Sequence, residues 1–181
     1  MPFTPLHMGP GMAVKATCPR HFSIVVFGLT QIAIDLEVLW HLIQRERPLH
    51  TFWHTYLGAT ILAALLTMLG KPASQRLKAT WNWFARTCGL EGLTVLTRTS
   101  WLGACTGAVA GAYSHVLLDS LSLSDIQPLQ PWRPGNPFRG AISPRALILT
   151  CVLSGIAGLM WFLVRQVGRK KTDRQSREAE S

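Results

Sequence analysis

The chain has 181 residues, is 48% hydrophobic, and carries 18 Lys and Arg against 9 Asp and Glu, a formal net charge of +9. That length suits one domain, and the apolar share is high for a water-soluble one. Lys and Arg avoid the apolar runs and gather in the connections and the tail, a pattern that fits a membrane surface and argues against a nucleic-acid partner.

The chain opens with Pro2, Pro5 and Pro10, and its first apolar run begins after His21 and holds two acids. A cleavable secretory signal would avoid both features. Four spans follow in order: 23–43, 52–69, 101–121 and 146–164. Each is close to the ~20 residues that a helix needs to cross the hydrocarbon core. The second is short for a full crossing, and Pro48 just before it suits a helix start.

Between spans two and three, SQRLKATWNWFAR sets Leu77, Trp81 and Phe84 on one stripe, as in a helix lying on the membrane surface or in an ordinary loop helix. In span three, Gly103, Gly107 and Gly111 recur every fourth residue beside Ala104, Ala108 and Ala112, so this helix is expected to pack closely against a neighbour. Trp40, Trp53, Trp101 and Trp161 lie near span ends, as interfacial anchors do. The Pro- and Gly-rich stretch 122–145 reads as an irregular loop.

The fold expected is therefore all-α: an integral membrane bundle of about four transmembrane helices with short interfacial helices. One membrane-embedded domain covers 1–164, and a basic, disordered cytoplasmic tail covers 165–181. With both termini inside, thirteen of the eighteen basic residues fall on the inner side. The cysteines, at 18, 88, 105 and 151, have no disulfide or zinc-ribbon spacing.

Three ionisable pairs interrupt the apolar spans: Asp35/Glu37, His50/His54 and His115/Asp119. Charges and imidazoles in lipid are costly and mark functional sites. On the expected topology all six fall in the outer half. His50 and His54 are four apart, as are His115 and Asp119, so each pair shares a helix face. Asp35 and Glu37 are two apart, so either the helix breaks there or one acid supports a ligand. Glu37 also shares a face with His41.

Spans one to three carry no Lys or Arg to pair with these acids, which favours a metal. His50, His54, His115 and Asp119 are the expected ligands of a divalent ion, with Asp35 as a further one. Imidazole and carboxylate together suit zinc. Glu37 is the expected general base for a metal-bound water. A buried metal site at the membrane face is the reading these residues favour, and hydrolysis of a lipid or phospho-ester is one use of it. A metal or proton transporter component and a non-catalytic protein with a structural metal are the alternatives.

These residues and their order resemble a family, the membrane-bound metal-dependent hydrolases of the YdjM-like group, also described as LexA-binding and inner membrane-associated. The counterparts run from Pro5-Leu6-His7-Met8-Gly9 through Asp35-Leu36-Glu37 and His50-Thr51-Phe52-Trp53-His54 to Ser114-His115-Val116-Leu117-Leu118-Asp119, then Pro128-Leu129-Gln130-Pro131-Trp132. The match covers about residues 4–135. This chain has Glu37 where the family has a second Asp, Val38 where a His follows it, and no arginine or glycine between the paired histidines. The resemblance implies a bacterial inner-membrane hydrolase and adds His7 to the metal site. His7 reaches that site only if 4–16 folds back into the bundle, with a break at Gly9, Pro10 and Gly11.

Overall fold

The computed structural model describes residues 4–179, with side chains for residues 7–165. All regular elements among them are helical: α1 (Thr4–Thr17), α2 (Ile24–Gln44), α3 (Tyr56–Thr87), α4 (Trp101–Ser122) and α5 (Pro144–Ala179), with one 3-10 turn at Glu91–Leu93. Three of these, α2, α3 and α5 as far as Arg165, are long and apolar enough to cross a membrane. That is one fewer than expected. α4 is 22 residues long, but Gly, Ala, Ser, His and Asp stand where the others carry Leu and Ile.

Hydroxyl caps start the helices. Ser23, Thr55 and Ser100 each accept the backbone N–H three residues on, relieving a donor that the first turn leaves unpaired. α2 stops at Arg45, whose left-handed backbone (φ 57°) turns its N–H back onto the last carbonyls of the helix.

α3 departs from the expectation at both ends. It begins at Tyr56, so 45–55 is a loop and His50 and His54 share no helix face. It also runs on through Pro72 and absorbs the segment expected as a separate surface helix. Pro72 removes only the bond to the Met68 carbonyl, and no stop signal follows it. The chain after α3 doubles back along it. Asn82 donates to the Val95 carbonyl at 2.7 Å and accepts the Val95 N–H at 2.8 Å. Ser74 and Lys78 both meet the Thr99 hydroxyl.

α4 lies against both α2 and α3 and is the most enclosed helix. A methyl group at Gly107 would strike the Ser23 carbonyl, and one at Gly111 the Phe27 carbonyl, so α4 meets α2 backbone to backbone. Four-residue steps along α4 continue this stripe from Gly103, Gly107 and Gly111 to His115 and Asp119. The facing stripe of α2 runs Ser23, Phe27, Gln31, Asp35. The glycines thus fix the register that brings His115 to Gln31 and Asp35.

α1 is an unbroken helix, not the broken segment expected. Gly9 packs on Cys151 of α5, Gly158 on Ala13, and Arg165 donates to the Ala16 carbonyl, so α1 and α5 run parallel. Gly11 packs on Phe27, and Lys15 donates to the Phe22 carbonyl, so α1 runs opposite to α2. His7 therefore lies at the His115 end of the bundle and Arg165 at the other. The tail expected at 165–181 starts within α5, and its side chains beyond Arg165 lie outside the described residues.

Candidate metal centre

α2 carries Asp35, α4 carries His115 and Asp119, and the loop between α2 and α3 carries His54. Asp35, His54, His115 and Asp119 each offer one donor atom, and the four atoms lie within 4.8 Å of one another. His115 Nε2 is 3.3 Å from Asp35 Oδ1 and 3.2 Å from Asp119 Oδ2. His54 Nε2 is 4.0 Å from Asp35 Oδ1 and 3.8 Å from Asp119 Oδ2. His54 and His115 are wholly buried, whereas the Asp35 side chain remains 21% exposed.

The far side of each imidazole is occupied. His54 Nδ1–H donates to Glu37 Oε2 at 2.9 Å, and His115 Nδ1–H donates to Gln31 Oε1. With Nδ1 carrying the proton, a neutral ring presents its Nε2 lone pair to the cluster. Both Nε2 atoms are buried without a hydrogen-bond partner. Two imidazole nitrogens and two carboxylates therefore converge on one point. Such a set can hold a cation, and two nitrogens with two oxygens form a donor set that zinc accepts. Neither α2 nor α4 contains a Lys or Arg to serve instead.

Glu37 stands behind His54 rather than at the cluster. Its carboxylate also accepts the Thr51 N–H at 3.0 Å, the Thr51 hydroxyl at 2.6 Å and the Trp53 N–H at 3.1 Å. It thus clamps the 51–54 loop and orients the imidazole from the side away from the cluster. The helix is intact at this point. Asp35 and Glu37 meet opposite ends of the His54 ring because the ring lies across the face of α2.

His50 also departs from its expected place. Its Nδ1–H donates to Asp125 Oδ2 at 2.8 Å, and its ring stands edge to face on His54 at 4.6 Å between centroids. Partial burial raises the Asp125 carboxyl, but the His50 hydrogen bond and the nearby ring charge bring it net below its ordinary value. His7 reaches the cluster from α1, with Nε2 3.6 Å from Asp119 Oδ1 and its ring 4.9 Å from that of His115. It contacts the cluster without belonging to the four-donor group. His41 turns to Glu46 and Thr51 instead.

Two contributors escaped the sequence reading. Gln31 is an uncharged residue in an apolar run, and only its position one turn before Asp35 hints at a role. Asp125 reads as a solvated loop acid, and nothing local announces its pairing with a residue 75 positions away.

No family model, curated protein or solved structure matches the chain. The site stands on its own chemistry. It combines an all-helical frame, three helices long and apolar enough to cross a membrane, and a buried His/Asp group that could hold a metal ion.

Proposed function

We propose that this chain is a metal-dependent hydrolase embedded in the bacterial inner membrane, a divergent relative of the YdjM-like hydrolases, with zinc on Asp35, His54, His115 and Asp119. The observation that carries the reading is the meeting of two unpartnered Nε2 atoms with two carboxylates in a buried space. When bound, the metal supplies an acidified water and a polarised scissile bond. The chain's own residues hold the rings in one tautomer through Glu37 and Gln31, and Asp119 and Asp35 balance the charge.

Catalysis needs a coordination position open to water. Asp35 is the donor nearest solvent, with 21% of its side chain exposed against 6% for Asp119. Water or substrate reaching the ion would therefore arrive on the Asp35 side. A four-donor set also suits a structural ion, and that is the second reading.

In this proposal α4 crosses the membrane as a fourth span, shielded from lipid by α2 and α3. The end rich in basic residues, with Lys78, Arg86 and Arg98, faces the cytoplasm, and the metal centre faces the other side. Outward residues such as Ile32, Leu36 and Ile43 on α2, and Leu153, Ile156 and Met160 on α5, meet lipid tails.

The test is metal analysis of purified protein beside His54→Ala and His115→Ala, followed by assays on ester substrates. Wild type is expected to retain about one divalent ion and each variant to lose it. Equal metal content in all three overturns the proposal. Full metal with no hydrolysis of any ester favours the structural reading.

A further inference from the structure

Beside the metal centre an open cleft of about 620 Å³ separates the α2–α3 loop from the loop after α4. Arg47, Leu49 and His50 line one wall, and Leu123 and Asp125 line the other. We infer that this cleft receives the substrate, and that the substrate is an amphiphile carrying a phosphate-type anion. The inference rests on the hydrolase reading above and gives it a substrate class.

Three observations carry it. First, both walls continue segments that bear metal donors. His50 packs edge to face on His54, and Leu123 lies one helical turn past Asp119, its N–H bonded to the Asp119 carbonyl. A group held in the cleft is thus one imidazole away from the donors.

Second, the charge of the cleft is one-sided. The Asp125 carboxylate is engaged by His50 at 2.8 Å and by the Leu49 N–H at 3.3 Å. Arg47 is exposed and forms no ion pair among the described residues. Its guanidinium is the group there that fits a phosphate, which it can grip with two parallel hydrogen bonds.

Third, Pro48, Leu49 and Leu123 give the cleft an apolar lining next to that charge. The helix leading into it, α2, exposes Leu39, Trp40 and Ile43 close by. A headgroup beside Arg47 with its chains along this apolar surface satisfies both features.

Native mass spectrometry of the full chain in detergent reads metal and ligand in one spectrum. The probes are inorganic phosphate, phosphatidic acid and phosphatidylcholine, applied to wild type, Arg47→Ala and Leu123→Trp. Arg47 is exposed, so its loss leaves the fold intact, and Trp at 123 adds bulk to the cleft wall.

Wild type is expected to bind a phosphate-bearing anion, and both variants to bind it about tenfold less while keeping their metal. Binding of phosphatidic acid, with or without inorganic phosphate, supports the inference. Binding of inorganic phosphate alone assigns the site to a free phosphate group and overturns the amphiphile. Equal occupancy in wild type and both variants with metal in place overturns it, as does equal binding of phosphatidylcholine. A wild type that binds the anion but no metal overturns the hydrolase reading and, with it, the substrate role of the cleft.

Discussion

Glu37 holds His54 from behind: its carboxylate accepts the Nδ1–H at 2.9 Å while Nε2 points to the cluster. A carboxylate in this position fixes the tautomer and raises the basicity of the ligand, and its removal typically lowers metal affinity about 10- to 100-fold. Glu37→Gln keeps the shape but offers one acceptor oxygen to four donors. It is therefore expected to weaken zinc binding by about that factor in a competition titration against a chromophoric chelator. An unchanged affinity would reduce Glu37 to a loop clamp with no influence on the metal.

The glycine stripe of α4 makes a second expectation. Gly107→Ala drives a methyl group into the Ser23 carbonyl, where neither backbone can yield easily. Overpacking of this kind costs roughly 1–3 kcal/mol. It also lifts His115 from Gln31 and Asp35. Gly107→Ala is expected to lower both thermal stability in detergent and metal content. Gly92→Ala, where an added methyl meets nothing within 4 Å, is expected to change neither. Matching behaviour of the two variants would dissociate the helix contact from the site.

Much of this was legible in the sequence. The spans in α2, α3 and α5 follow from their apolar runs, and the Gly/Ala stripe of α4 announces close packing. His115 and Asp119 share a face because their spacing is four within a true helix. The same spacing misleads at His50 and His54, since a Thr55 cap starts α3 only after them. Spacing predicts direction inside a helix and nothing in a loop. Glu37 was visible as an acid in an apolar run, but its role depends on four donors brought by residues 51–54. Gln31 with His115 is set by helix register and His50 with Asp125 by the meeting of two loops, and neither pair has a local trace.

His7 and His50 touch the cluster without entering the four-donor group, which ranks the histidines. His7 approaches Asp119 Oδ1, whereas Oδ2 of the same carboxylate faces His54 and His115. His50 spends its Nδ1 on Asp125. His7→Ala and His50→Ala are expected to retain metal after dialysis, with affinity lowered by about tenfold, the low end for loss of a supporting contact. His54→Ala and His115→Ala are expected to lose it. A His7 variant as empty as the His115 variant would make His7 a ligand and α1 part of the coordination sphere.

Gln31 offers the sharpest test, because it can be changed in both directions. It is fully buried and accepts from His115 Nδ1, as Glu37 does from His54. Gln31→Leu leaves that N–H buried without an acceptor, a loss of about 1–3 kcal/mol, and frees the ring to turn. Its metal affinity is expected to fall. Gln31→Glu instead places a carboxylate behind His115 and makes the two histidines alike. Without metal it adds a buried negative charge to a cluster that already holds two carboxylates, so the empty protein is destabilised. With zinc bound, the added charge strengthens the ligand and is compensated by the ion. The gap in melting temperature between metal-loaded and empty protein is therefore expected to widen in Gln31→Glu and narrow in Gln31→Leu. If both variants shift the gap in the same direction, the residue fills space behind His115 and does not tune it.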